Sequence, residues 1–530
     1  MNPYQAYAPQ AQAPQSFAPQ APAQAPAQAL RPSIITSEAL GADASAMTGW
    51  KYAAQAAPGL VSQLLQLRAQ IEVEYPIRDI VVLGMGGSAL GARVFEAAYY
   101  EDLARLGVRL RIVDTTEPST IAGLLQDFDA AAGLVIVSSK SGGTIEPLCL
   151  GQIFFNHLSA VLGSAQTAAA HFIAISDADT PLSQLAITQA WRGLINTAPN
   201  VGGRFSALTA FGLAPLVLAG INPSTLIAAA QDMQCRCTED ASCNAGQLAG
   251  SLYQNMRDGH DKLIIAHDKR SEAFARWLEQ ILAESLGKNG KGLVPLPMPL
   301  ERAQALLARG GADLQSISLV NMSAADVGEG MQRWMYATEK LAHLLYIDPF
   351  DQPNVEAVKQ STRRVLSEII EQSSSIASGS PITSYAATTG SFASAGAIPV
   401  GDHLDQLLAD PRIASPDRIV RLVKPDSFMV LVSWIPMNAE NASSLEFLAA
   451  TLQDVYQRPV VIAEGPHYLH ASGQMYKGGP GTGVFLIVSQ EAEQDLPIPG
   501  AAYSLRQLYR ALFGGDLDVM LSMGKNLASL

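Results

Sequence analysis

The plainest hydrophobic signal in the chain is a β-branched run, Val135-Ile136-Val137, that stops on Ser138-Ser139-Lys140-Ser141-Gly142-Gly143-Thr144. A short apolar run bounded by polar turn residues predicts a buried parallel strand. Glu146 and Pro147 then suit the first turn of a helix. The same order occurs upstream, where Asp79-Ile80-Val81-Val82-Leu83 leads into Gly84-Met85-Gly86-Gly87-Ser88 and a second helical pattern. Further strands are predicted at 109–113, 134–137 and 172–175, with helical periodicity between them and from about 45 to 74. That alternation predicts an α/β fold with a doubly wound parallel sheet, whose ligand site lies beyond the strand C-termini.

The pattern starts again after a long apolar helix ending near Leu218. A strand at 262–266, a helix at 271–286, strands at 292–296 and 316–320 and a helix at 331–345 predict a second α/β unit. Pro295 makes the strand at 292–296 an edge candidate, because proline cannot donate to a ladder. Strands at 428–433, 459–463 and 483–488 and a helix at 442–456 predict a third unit. Two stretches break the rhythm. Residues 1–33 are built from Ala, Pro and Gln, which predicts a disordered tail. Residues 372–415 begin with a Ser-, Ala- and Thr-rich run that predicts a flexible insertion.

Composition narrows the function. The 530 residues carry a formal charge of −13, which excludes a nucleic-acid coat. No stretch is apolar for long enough to span a membrane, and the N-terminus lacks the marks of a signal peptide. Four cysteines in this length suit a reducing cytoplasm. Cys235, Cys237 and Cys243 match no zinc spacing, so neither metal nor cofactor is expected.

The loops carry the candidate chemistry. Ser139, Ser141 and Thr144 offer hydroxyl donors at a helix N-terminus, and Lys140 offers a charge, which suits a phosphate. Gly84-Met85-Gly86-Gly87-Ser88-Ala89 fits a dinucleotide fingerprint, with Asp114 as a ribose contact some ten residues later than that pattern prefers. Two polar loops on neighbouring strands favour a small phosphosugar over a dinucleotide. Arg204, after Gly202-Gly203, can reach an anion with its planar fork. Glu284 ends a helix at a glycine-rich exit, Gln352 lies in a turn, and Lys359 projects from the helix that follows. His467 and His470 share a polar loop with Gln474 and Lys477.

Taken together, Gly84-Met85-Gly86-Gly87-Ser88, Ser139 to Thr144, Val201-Gly202-Gly203-Arg204, Glu284-Ser285 and Phe350-Asp351-Gln352-Pro353 leading to Lys359 resemble the glucose-6-phosphate isomerase family. The closing region, from Tyr468 to Val484, is similar to the isomerase half of transaldolase–isomerase fusion proteins. The resemblance implies two sugar-isomerase domains, at 76–225 and 226–371, after a helical segment at 34–75. An additional C-terminal α/β unit at 416–530 follows. It implies Glu284 as the base of a cis-enediol mechanism, Arg204 as the stabiliser of enediolate charge and Lys359 as an aid to ring opening. Ser88, Ser139, Ser141 and Thr144 would hold the phosphate. Gly87, Lys140, Gly203 and Gln352 would complete the substrate site. The family's ring-opening histidine has no good match, since the only histidine between Glu284 and the Phe350 motif is His343, within an apolar helix. Either His470 or His467 substitutes, or Lys359 and water open the ring; His470, in a loop with Gln474, Lys477 and Gly478-Gly479, is the one expected in the active site. The expected protein is a cytoplasmic enzyme, with a homodimer as its candidate assembly, interconverting glucose 6-phosphate and fructose 6-phosphate. The alternatives are an isomerase that also accepts mannose 6-phosphate and a non-catalytic phosphosugar-binding regulator.

Overall fold

The structure, a computed structural model, describes residues 32–41, 43, 46–239, 244–311, 313–377, 404 and 407–530. Most of the expected tail, most of the expected insertion and Cys243 lie outside the described residues.

The first unit is a six-stranded parallel sheet in the order β1-β6-β5-β4-β2-β3. Its strands are β1 (Ser33–Thr36), β2 (Asp79–Gly84), β3 (Arg109–Val113), β4 (Gly133–Ser138), β5 (Phe172–Ser176) and β6 (Gly193–Asn196). β2 and β4 are buried along their whole length, so their side chains alternate between two covered faces. The strand order reverses between β2 and β4, and an open α/β sheet leaves a crevice at that point. The two polar loops follow those two strands. Pattern reading missed β1 and β6, which have four residues each. Ser33 is not tail but the start of β1, paired with Gly193.

The second unit is a three-stranded parallel sheet, β8-β7-β9, formed by β7 (Lys262–His267), β8 (Val294–Pro299) and β9 (Leu314–Leu319). The third is a four-stranded parallel sheet, β11-β10-β12-β13, formed by β10 (Phe428–Trp434), β11 (Val460–Glu464), β12 (Gly483–Ser489) and β13 (Asn526–Ser529). The two sheets meet edge to edge, β8 against β11. Val294 donates its amide to Asp261 beside β7, so its alternate neighbours Pro295, Pro297 and Pro299 turn to the outer edge. That edge therefore has no N–H to offer. The carbonyls of β11 on the facing side are taken by arginines instead. Arg276 Nη1 donates to Ile462 O at 3.0 Å, and Arg302 donates to Val460 O.

One apolar core runs through all three units, joining Val82 and Phe154 to Leu278 and to Trp434 and Phe513. Both described ends of the expected insertion are structured. The Pro353–Ala377 helix carries through its first residues, and Ala414 pairs with Ala528 beside β13.

Candidate functional site

A cavity of about 340 Å3 opens over the β2/β4 reversal. One wall is made by the two loops. Gly86 has φ +53° and lies so close to the His470 backbone that a Cβ would come within 2.5 Å of its carbonyl oxygen. A Cβ on Gly87 would lie 2.1 Å from Gly203 O. These two positions need glycine because two other segments press directly on the loop. Ser138 Oγ donates to Ser88 O at 2.7 Å, and the Lys140 amide donates to Ser88 Oγ at 3.3 Å, which ties the two loops together. Thr144 immediately precedes the Ile145–Val161 helix and makes no side-chain cap. The first amides of that helix are left as donors beside the Ser141 and Thr144 hydroxyls.

Two expected phosphate ligands behave differently. Ser139 is buried, does not line the cavity, and donates to Thr144 Oγ1 at 3.1 Å. Lys140 borders the cavity, but its ammonium is held by both Asp177 oxygens at 2.7 and 2.8 Å. A hydroxyl or ammonium in a tight loop takes the nearest acceptor, and sequence spacing does not reveal that acceptor.

The opposite wall is ionic and buried. Arg204 is 5 % exposed. Its Nη1 donates to Pro349 O at 3.1 Å, its Nη2 to Gln352 Oε1, and its Nε lies 3.0 Å from Glu284 Oε2. The Gly202-Gly203-Arg204 turn thereby holds the Phe350-Asp351-Gln352 turn and the carboxylate at once. Glu284 is 7 % exposed and sits in the last turn of the Glu272–Leu286 helix. Burial pushes its carboxyl above the usual glutamate range, against the pull of Arg204, His470, Lys359 and Lys288. Lys288 bonds Asp351 Oδ1 at 2.5 Å, and burial pushes its ammonium pKa down. Lys359 stands at the rim, 2.7 Å from Glu356.

The third wall comes from the C-terminal unit. His470 lines the cavity, and its Nε2 lies 2.7 Å from Glu146 Oε1. Burial raises the Glu146 carboxyl pKa, but the charge and hydrogen bond of His470 outweigh it and hold that carboxyl below the usual range. The other polar residues of that loop turn elsewhere. His467 meets Asp114 at 2.7 Å, Lys477 is buried against Asp516 at 2.5 Å, and Gln474 bridges Gly287 O and the Asn354 amide. Asp114 therefore serves histidine and arginine partners rather than a ribose. His343 is exposed on the outside of its helix and stays far from this role. Beyond Lys359 and His470 lies a second cavity of about 340 Å3, sharing Ser141 and Thr144 with the first.

Pattern reading missed two residues. Gln280, one helical turn before Glu284, donates to the His470 carbonyl at 2.8 Å and to Glu284 Oε2 at 3.4 Å. Its i−4 spacing from Glu284 was the available signal. Glu146 suits a helix start by its position, and that role hides its contact with His470. Among the described residues no group of His, Cys, Asp or Glu is arranged to hold a metal ion. Nor is any described helix long and apolar enough to cross a membrane.

Residues 71–294 match the sequence profile of the phosphoglucose isomerase family. The matched span carries both loops, Arg204 and Glu284, and it ends before Gln352, Lys359 and His470. A glucose-6-phosphate isomerase of Rubrobacter xylanophilus is 30 % identical over 43 % of this chain. The match spans 56 % of that relative, little more than half its length. A glucose-6-phosphate isomerase of Thermus thermophilus is 27 % identical over 60 % of this chain and 90 % of its own length. A solved structure of a hypothetical protein from Thermus thermophilus superposes with a TM-score of 0.54 at 25 % identity. It covers 60 % of this chain and 90 % of that one. The matched span covers β2 to β6 of the first unit and, of the second, β7 and the helix that carries Glu284.

Proposed function

We propose that the chain is an aldose–ketose isomerase that interconverts glucose 6-phosphate and fructose 6-phosphate. The observation that carries this reading is Glu284, a buried carboxyl with a raised pKa, facing one cavity with Ser88, Ser141 and Thr144. The names of the relatives point the same way. The sugar phosphate sits on the hydroxyls and the free amides of the Ile145–Val161 helix, remote from the reacting carbons. Glu284 removes the proton from C2 of the open-chain aldose and returns it to C1, giving the ketose through a cis-enediol. A carboxylate with a raised pKa is the stronger base and takes the C2 proton more readily. Arg204 supplies fixed positive charge where the enediolate oxygen develops. Gln352 and Lys359 border the sugar.

Ring opening falls to His470. Glu146 holds its Nε2, which leaves Nδ1 for the substrate. This histidine comes from the same chain, more than a hundred positions beyond Lys359.

Glu284→Gln tests the reading, because the amide keeps the shape and cannot take a proton. In a coupled assay with fructose 6-phosphate, kcat should fall about 10²–10⁴-fold. Binding of fructose 6-phosphate, measured by calorimetry, should change by less than about threefold, roughly 0.7 kcal/mol. Turnover near the wild-type rate removes Glu284 from the mechanism.

A further inference from the structure

The single turn His467–His470 reaches from the end of β11 across to the first sheet. In a turn with three residues per revolution, side chains at i and i+3 stand in line. His467 and His470 therefore project together, and each ends on a carboxylate 2.7 Å away. The carboxylates belong to different strands. Asp114 directly follows β3, and Glu146 stands in the helix after β4. β3 and β4 are the two neighbours of β2, so the histidines straddle that strand, and its loop residue Gly86 touches His470 between them.

Only one of the two pairs faces the cavity. His467 and Asp114 do not line it. Asp114 is 8 % exposed, and its second oxygen is held by Arg93 Nη2 at 2.6 Å. Arg93 also donates to Ile112 O at 3.1 Å, which fixes this end to β3. We propose that the Asp114–His467 pair is a positioning device that holds the turn in place so that His470 reaches the substrate. It rests on the reading of His470 as the ring-opening residue. Burial pushes the His467 imidazole toward neutrality, but the Asp114 carboxylate outweighs it and Glu464 adds to it, against Arg93. The pair is thus an ion pair over more of the pH scale than a free histidine would allow. An ion pair buried on this scale defines a position more tightly than a surface contact does, because breaking it strands a charge.

The test uses Asp114→Asn and His467→Gln in the full chain, each alone and each combined with His470→Ala. Turnover is read on fructose 6-phosphate and by C1 proton exchange in an analogue that cannot cyclise. Misplacing a reacting group by about 1 Å costs up to about 100-fold. The expected result for Asp114→Asn is therefore a kcat loss of about tenfold or more on fructose 6-phosphate. KM should stay within about twofold and exchange in the open-chain analogue should be unchanged, since the phosphate loops and Glu284 are untouched. His467→Gln, which can still donate to Asp114, should lose less than His467→Ala. Neither substitution should slow His470→Ala any further. The proposal fails if Asp114→Asn slows both reactions equally, adds its loss to that of His470→Ala, or lowers only the melting temperature. It also fails if both single variants are unfolded, for then the pair is a folding contact. If His470→Ala keeps full turnover, the reading of His470 fails and the proposal falls with it. If His470→Ala is slow and Asp114→Asn is not, only the positioning role fails.

Discussion

Ser88, Ser141 and Thr144 form one end of the cavity, and Arg204, Glu284 and Gln352 form the other. The first end uses hydroxyls and backbone amides, supported by hydrogen bonds within two neighbouring loops. The second uses full charges, Arg204 against Glu284, taken out of water and made to satisfy one another. A group that only grips a dianion can be built from dipoles, because amides at a helix end are fixed by the backbone at little cost. A group that must change protonation state needs an environment that shifts its pKa, and burial among charges does that. The comparison predicts that damage at the ionic end appears in stability and kcat together, and damage at the hydroxyl end in KM.

The largest effect is expected from Arg204→Met. It leaves Glu284 and Gln352 without their buried partner, and breaking a buried pair from one side costs about 3–5 kcal/mol of stability. Denaturant titration measures that loss. The kcat of the folded fraction should also fall, by about 10²–10³-fold, as for removal of an oxyanion donor. A stable variant with normal kcat would break the comparison. The same variant tests the pKa logic. Burial raises Glu284 and Arg204 lowers it, with burial the larger. A base must be ionised to act, so activity should be lost as pH falls through a value above the ordinary glutamate range. Without Arg204 that acid limb should move still higher. A limb that stays put, or moves down, would show that the two charges are not coupled.

The next effect is the double variant Ser141→Ala with Thr144→Ala. Hydrogen bonds to a charged group contribute about 1.5–3 kcal/mol each, so KM should rise at least about tenfold while kcat changes less. Steady-state kinetics on fructose 6-phosphate decides it, and an unchanged KM would place the phosphate elsewhere. Ser139→Ala is the small-effect control. Its hydroxyl serves Thr144 and not the cavity, so KM should move by less than about threefold, roughly 0.7 kcal/mol.

These differences also explain what could be read from the sequence. The buried strands β2 and β4 announce themselves because a strand covered on both faces is apolar throughout. The loops after them keep their glycines and hydroxyls in a recognisable order. His470 could be reached by reasoning from a missing histidine and a polar loop far downstream. The same loop favours His470 over His467 in sequence, since Gln474, Lys477 and Gly478-Gly479 follow it. In space the cavity separates the two, because His470 lines it and His467 does not. Ser139 and Lys140 look like ligands by type, yet each finds a closer partner within the loop or beside it. β1, β6 and β13 escaped because four residues give too little pattern to distinguish a strand from a loop. Pro295 alone points to the edge that β8 forms. What lies beyond that edge, a second sheet held by two arginines, is a matter of tertiary packing.

His470 also sets a time. A ribosome delivers Glu284 well before it delivers the turn that completes the cavity. At about 5–20 residues per second the interval is on the order of ten to forty seconds. During it the nascent chain can fold its first sheet and present both loops without the residue proposed to open the sugar ring. A growing chain could grip a sugar phosphate before it could convert the cyclic form. Full turnover on the cyclic sugar would begin only when the last unit had docked.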